Sequence, residues 1–188
     1  MTAATRVVLL TGAADALGTA IADAALSAGA SVAAIAPRGW MVDRLRERLG
    51  VDRALAGLVA PGDAQAAAGF VKGAQDALGP ITDVICASVL LRPAAAGAEP
   101  GGDLEELLDA NLRANSAVVR AALPSLRRRA RGRLALPAWT DELADVSVNC
   151  RASIAAIEAF AAGLEVELKG AGVALDRVPA NAPAAAWI

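Results

Sequence analysis

The sequence lacks several side chains on which enzymes commonly rely. Its 188 residues include no histidine and no tyrosine, and its lysines are Lys72 and Lys169 alone. Histidine titrates near neutral pH, and tyrosine and lysine also serve often as proton donors or bases. Acid–base chemistry in this chain would therefore have to use a cysteine or a carboxylate.

Aromatic residues are also scarce, at 3% of the chain, although 56% of the residues are hydrophobic and nearly half of those are alanine. Small side chains favour helices packed closely on a sheet. The length fits one domain, residues 1–188, and is sufficient for a sizeable core. We expect part of the apolar surface to be covered by another subunit.

Strong charge and long apolar runs are absent as well. The net charge is -2, which indicates neither nucleic acid nor a membrane as partner. The arginine run Arg127–Arg133 is interpreted as a helix C-terminus. No run approaches the roughly 20 apolar residues of a membrane span, and the first residues do not resemble a signal peptide. The expected location is the cytoplasm, with Cys86 and Cys150 as buried thiols rather than a disulfide and no metal site.

Short apolar runs alternate with helical segments, which predicts parallel β-α units and a sheet covered on both faces. A segment at 179–188 forms the tail and is expected to be poorly ordered unless Trp187 and Ile188 dock. The predicted strands are 6–10, 31–36, 55–60, 83–87, 133–136 and 173–178. The predicted helices are 17–28, 41–49, 63–78, 104–131 with a break or kink at Pro124, and 147–169.

The stretch TGAADALG, Thr11–Gly18, lies between the first strand and the first helix. Glycines in such a loop let backbone N–H groups approach a phosphate at the positive end of the helix. Ala16 stands where a further glycine is expected, and adds a methyl group or requires an unfavourable dihedral. Asp15 would repel a pyrophosphate by on the order of 1–3 kcal/mol per pair of charges. Asp15 is also interpreted as the N-cap of the helix that follows.

These stretches together resemble the short-chain dehydrogenase/reductases. TGAADALG is similar to that family's TGxxxGxG, GPITDVIC to the approach to its fourth strand, and Ala110–Leu126 to its central helix. LEVELKGAGVALDRV resembles its final helix and sixth strand. The resemblance runs from Arg6 to about Val178 and implies a three-layer, doubly wound Rossmann fold with parallel strand order 3-2-1-4-5-6, truncated after the sixth strand.

The resemblance implies a dinucleotide site, for which the candidate residues are Gly12, Asp15, Leu17, Gly18, Arg38, Asp63 and Ala64. Arg38 could face the 2′-phosphate of NADP, or it is a plain surface arginine. Asp63 matches the acid beside the adenine ring, or it only caps the third helix. We expect either no cofactor or weak binding of NADP or NAD.

The departures from the family concern its chemistry. The catalytic tyrosine and lysine positions fall at Cys150 and Ile154, and the serine position at Ala138 or Trp139. After the fourth strand, where the family has the motif NNAG, this chain has ASVL at Ala87–Leu90. Asn111 keeps the helix asparagine, for which a vestigial or structural role is favoured. No catalytic residue is assigned; Cys150 and the carboxylates of Asp141, Glu142 and Asp145 are the alternatives considered.

The sequence therefore predicts a catalytically silent relative of these enzymes. It would form oligomers or stabilise a partner, either a second copy or an active paralogue, through helices 104–126 and 147–168. One alternative is an NAD(P)-dependent oxidoreductase that uses non-standard catalytic groups. Another is a non-catalytic sensor of NADP or another nucleotide.

Overall fold

The computed structural model describes residues 6–50, 52–93, 102–128, 132–139 and 145–188. Within these ranges, six parallel strands form one sheet in the order β3-β2-β1-β4-β5-β6. The elements are β1 Val7–Thr11, α1 Ala16–Ser27, β2 Ser31–Ala36, α2 Gly39–Leu49, β3 Ala54–Leu58, α3 Ala64–Leu78, β4 Asp83–Cys86, α4 Asp103–Leu108, α5 Ala114–Arg127, β5 Gly132–Ala138, α6 Val148–Leu168 and β6 Val173–Pro179. The predicted fold and strand order are confirmed.

Helices cover both faces of the sheet. On one face, Val71 of α3, Val118 of α5 and Leu164 of α6 are buried in one apolar core. On the other face, Ile21 of α1 and Val42 of α2 belong to a second core. The central strands β1, β2 and β4 are buried along their whole length, as expected for strands covered on both sides.

The prediction of a helix over 104–131 whose break or kink lies at Pro124 is wrong about the place of the interruption. The residues between α4 and α5, Asp109–Arg113, form a π-helical turn, and α5 ends at Arg127. Pro124 lies inside α5, and the helix continues past it by one turn. Pro124 is exposed and close to the end of the helix, so the hydrogen bond that it removes lies near solvent.

The C-terminal segment docks on the α1 side of the sheet. After β6 the chain forms a short 3₁₀ turn, Ala184–Ala186, and the Trp187 side chain is fully buried in the second core. The Arg133 side chain donates to the Trp187 carbonyl oxygen at 2.6 Å, and the Arg6 side chain donates to the Ile188 oxygen at 2.6 Å. The sequence analysis expected an ordered tail only if Trp187 and Ile188 dock, and both residues pack in the second core.

Candidate functional site

The loop from β1 to α1 is shaped by two glycines. Gly12 has φ +65°, and a Cβ atom there would lie 2.5 Å from the carbonyl carbon of Ala87. A Cβ atom on Gly18 would lie 2.0 Å from the Gly12 carbonyl oxygen. Both contacts are with backbone, which cannot move aside cheaply. The fold therefore requires these two glycines whether or not a phosphate binds.

Asp15 occupies the N-cap position of α1 with extended backbone, but its side chain makes no capping hydrogen bond. Asp15 thus occupies the predicted N-cap position, but its side chain does not make the hydrogen bond by which an N-cap residue stabilises a helix. The residue as a whole is exposed at the loop, and partial burial of its carboxylate raises the pKa of Asp15 above its ordinary value. Ala16 begins the helix without strain, since the described residues include no positive φ outside glycine.

A cleft of about 450 Å³ opens at the carboxyl ends of the strands, beside this loop. This is where doubly wound sheets bind ligands. Gly12, Asp15 and Arg38 all line it. We refer to this space as the cleft; its other lining residues are Thr11, Ala14, Ile35, Pro37, Met41, Val59, Pro61, Ser88, Val89, Leu90, Glu106, Asp109, Ala110 and Ala114.

The remaining candidate residues do not line the cleft. Leu17 and Gly18 belong to the first turn of α1; Leu17 packs against the second core, and Gly18 is buried. The Asp63 carboxylate accepts a hydrogen bond of 2.8 Å from the Ala66 backbone N–H and so caps α3, whose first residue is the exposed Ala64. Asp63 thus has a structural contact that accounts for it without a ligand.

A buried polar network closes the floor of the cleft. The Thr11 hydroxyl donates to the Asn115 Oδ1 atom at 2.6 Å, and Asn115 Nδ2 donates to the Ser88 carbonyl oxygen at 2.9 Å. Sequence analysis did not single out Asn115. The signal was present: Asn115 lies four residues after Asn111, so two amides share one face of a helix that is otherwise apolar there.

Asn111 itself joins three elements. Its Nδ2 atom donates to the Leu90 carbonyl oxygen and to Ser153 Oγ, both at 2.9 Å, while its Oδ1 atom accepts from the Leu90 backbone N–H at 2.6 Å. Asn111 lies in the π-helical turn and is 1% exposed. All of these contacts are internal, so the structural role favoured for Asn111 has a direct physical basis.

Cys150 and Ile154, to which the resemblance assigns the family's tyrosine and lysine positions, are core residues. Cys150 is fully buried and Ile154 is 2% exposed, and both pack with Leu107. Leu90, Trp139 and Val146 pack against this group, which we call the Cys150 cluster. The Cys150 thiol lies 3.9 Å from the Leu90 carbonyl oxygen. Neither Cys150 nor Ile154 lines the cleft.

The other carboxylate and serine positions add no proton donor. Ala138 ends β5 and carries no hydroxyl, and Trp139 belongs to the Cys150 cluster. Asp145 is exposed and lies outside the cleft lining, whereas Asp141 and Glu142 lie outside the described residues. Two carboxylates that do line the cleft, Glu106 and Asp109, were not singled out from the sequence.

Those two carboxylates are each held by an arginine. Glu106 pairs with Arg92, and Asp109 pairs with Arg113 at 2.6 Å. They sit on the α4 side of the cleft, beside Ala110. Across the described residues, no group of three or more His, Cys, Asp or Glu side chains could hold a metal ion.

Comparison with known proteins identifies the family. The model of the short chain dehydrogenase family matches residues 6–182. The chain therefore belongs to the short chain dehydrogenase family. A comparison with curated proteins finds no match.

Solved structures share the fold at low identity. A short-chain dehydrogenase from Streptomyces avermitilis is 24% identical, with a TM-score of 0.78 over 93% of this chain and 64% of that chain. The NADPH-bound short chain oxidoreductase from Pseudomonas aeruginosa PAO1, which contains an atypical catalytic center, is 23% identical, with a TM-score of 0.76 over 89% and 68%.

The 3-ketoacyl-(acyl-carrier-protein) reductase from Brucella melitensis, complexed with NADH, is 19% identical, with a TM-score of 0.77 over 89% of this chain and 72% of that chain. The present chain thus spans about two thirds of the length of these structures. None of the helices that the structure describes is long and apolar enough to cross a membrane.

Proposed function

We propose that this chain is a catalytically silent member of the short chain dehydrogenase family. The proposal is carried by the Cys150 cluster: the positions of the proton donor and its lysine are apolar core. Hydride transfer to a carbonyl leaves an alkoxide that must receive a proton, and acid–base help of this kind contributes roughly 10²–10⁴ in rate. A buried thiol and an isoleucine supply no such help.

The cleft itself offers few replacements. The Thr11 hydroxyl is committed to Asn115, and the Glu106 and Asp109 carboxylates to arginines. The Pseudomonas oxidoreductase, with its atypical catalytic center, makes a non-standard donor the competing proposal. In this chain, Glu106 and Asp109 are the residues on which that alternative would depend.

A hydride-transfer assay separates the two proposals. We expect no oxidation of NADPH or NADH above the protein-free rate with a panel of aldehydes and ketones, and no change in Cys150→Ala. Turnover that falls at least tenfold in Glu106→Gln or Asp109→Asn would instead establish an oxidoreductase with carboxylate acid–base chemistry. Turnover lost in Cys150→Ala would give that role to the thiol.

We further propose that the chain works as a subunit of an oligomer, through the outer surfaces of α4, α5 and α6. The outer face of α6 carries a row of exposed small apolar residues, which we call the α6 seam: Val148, Ala152, Ala155, Ala159, Ala162 and Val166. The spacing alternates between four and three residues, which is the repeat of helices that pack side by side. Val148 and Val166 are 75% and 79% exposed. A seam of this length supports burial against another subunit.

The charges beside the seam favour a second copy as that subunit. Glu105 is exposed near the start of α4, whereas Arg120, Arg127 and Arg128 are exposed towards the end of α5. In a two-fold pair the helices run antiparallel, so the acidic end of one copy meets the basic end of the other. An active paralogue with the same charge order would also fit.

Light scattering coupled to size exclusion tests the surface. We expect the mass of two or more chains for the native protein, and of one chain for the Ala155→Glu, Ala159→Glu double variant. Glutamates there would place like charges across the seam. The matched control is Ala68→Glu on the exposed side of α3, which should leave the mass unchanged. A native monomer would contradict the proposal.

A further inference from the structure

Leu90 is the one described residue that belongs both to the lining of the cleft and to the Cys150 cluster. Its side chain is partly exposed on the cleft side, whereas Cys150 is fully buried. The Cys150 thiol lies 3.9 Å from the Leu90 carbonyl oxygen, so the two residues are direct neighbours. Leu90 therefore stands between the open space of the cleft and the thiol.

The residue at this position also departs from the family. In the resemblance, ASVL stands where the family has NNAG, so Leu90 takes the place of the glycine. Glycine has no side chain and lets other groups come close to the backbone. Leucine adds an isobutyl group, which here packs against the Cys150 cluster. The space that a glycine would leave open is thus filled by an apolar side chain.

Buried amides fix the backbone of the segment that carries Leu90. The Leu90 backbone N–H donates to Asn111 Oδ1 at 2.6 Å, and the Leu90 carbonyl oxygen accepts from Asn111 Nδ2 at 2.9 Å. Asn115 Nδ2 donates to the Ser88 carbonyl oxygen at 2.9 Å. Asn111 and Asn115 are 1% and 0% exposed, so a shift of the segment would leave buried polar groups unpaired. The side chain of Leu90 is therefore held in place.

The place matters because a nicotinamide ring would have to lie beside Cys150. Hydride and proton go to adjacent atoms of one carbonyl group, so the ring and the proton donor must both lie next to that group. The resemblance assigns the donor position to Cys150. In this structure Cys150 packs with Leu107 and Ile154, and Leu90 covers its cleft side. These residues do not fit the nicotinamide end of the cofactor that the family implies.

We infer that Leu90, clamped by Asn111, is the wall that ends the cleft and keeps a ring of the size of nicotinamide away from Cys150. Leu90 thereby determines which ligands the cleft admits. The inference goes beyond catalytic silence, because a carboxylate at Glu106 or Asp109 lies on the cleft side of the wall. A reaction that used such a carboxylate would leave the wall in place.

Labelling of Cys150 with dipyridyl disulfide tests this inference, because the reagent presents a pyridine ring like that of nicotinamide. All proteins carry Cys86→Ala, so that Cys150 is their sole thiol. The Cys150 thiolate attacks one sulfur of the reagent, which forms a mixed disulfide and releases a chromogenic pyridinethione. We expect Leu90→Ala to raise the labelling rate at least tenfold over the Cys86→Ala parent, since it opens the path from the cleft.

The matched control is Leu107→Ala, which removes the same atoms from a fully buried neighbour of Cys150 outside the cleft lining. Low concentrations of urea separate two routes to the thiol, because labelling through unfolding rises with urea and labelling through an open path does not. We expect the rate of Leu90→Ala to be unchanged by urea. Any labelling of Leu107→Ala should rise with urea.

Three results would overturn the inference. The first is a Leu90→Ala variant that is labelled no faster than the parent, or only at a rate that rises with urea. The second is a Leu107→Ala variant that is labelled as fast as Leu90→Ala at a rate that urea leaves unchanged. The third is a parent that is labelled as fast as the unfolded chain. None of these results depends on hydride transfer, so the wall and the proposed catalytic silence fail separately.

Discussion

At the scale of single residues, the loop motif and the helix cap are both explained by contacts within the protein. Gly12 and Gly18 are required because their Cβ positions are occupied by backbone. Asp63 caps α3, and Asn111 links Leu90 to Ser153. These residues preserve the family pattern because they hold the fold, and their presence is therefore poor support for a cofactor.

The two cysteines give a prediction at this scale. Cys86 and Cys150 are both fully buried, and burial raises the pKa of Cys86 far above its ordinary value. The thiolate is the reactive form, and neither sulfur is accessible to a reagent. We expect a chromogenic disulfide reagent to label neither thiol of the native protein within minutes and both thiols of the unfolded chain.

The unfolded chain serves as the control, because it shows that both thiols can react. The two native thiols are told apart with Cys86→Ala and Cys150→Ala. If Cys150 of the native protein reacted as fast as in the unfolded chain, the thiol would be open to the cleft. That result would contradict its place in the Cys150 cluster and would favour the alternative of a catalytic cysteine.

At the scale of elements, the alternation of apolar runs and helical segments was sufficient to predict each strand and helix to within a few residues. The exception is the region 103–127, where a π-helical turn separates α4 from α5. The turn lets the Asn111 carbonyl oxygen accept from Asn115 Nδ2 at 3.1 Å while the Asn111 amide reaches Leu90. The contact with Leu90 is a tertiary contact, and the local periodicity of the sequence cannot predict the π-helical turn that permits it.

The C-terminal segment is the element whose contribution to stability is most easily measured. Trp187 is fully buried, whereas Trp40 is 52% exposed. We expect Trp187→Ala to lower the free energy of unfolding by about 3–5 kcal/mol, because it leaves a large cavity beside α1. Trp40→Ala should change it by less than about 0.5 kcal/mol. Urea titration followed by circular dichroism measures both.

If Trp187→Ala and Trp40→Ala lowered the free energy of unfolding equally, the burial of Trp187 beside α1 would be contradicted. The sequence left the order of this segment conditional, since the seven residues between β6 and Trp187 are small or polar and none of them indicates a direction. Docking depends on Arg6, which directly precedes β1, and on Arg133 of β5. Only the folded sheet brings these two arginines together.

At the scale of the whole molecule, the strand order places the loop after β1, the end of β2 and the start of α4 around one cleft. The family resemblance implied this order, and the structure confirms it. That the catalytic positions are lost stays a prediction from the sequence. The sequence could not predict all of the ion pairs beside the cleft: Asp109 and Arg113 are four residues apart on one helical stretch, but Arg92 and Glu106 are 14 residues apart and meet only in the folded chain.

The central claim of the proposal is that the chain is catalytically silent, because Cys150 and Ile154 of the buried Cys150 cluster stand where the resemblance puts the proton donor and its lysine. The most direct measurement is the transfer of deuterium from NADPH labelled at C4 to a ketone panel, read by mass spectrometry with saturating protein. Asp15→Asn is measured beside the native chain, so that loss of cofactor binding cannot account for a negative result. The account predicts no labelled alcohol above the protein-free level for either protein. Labelled alcohol formed by either one would contradict it.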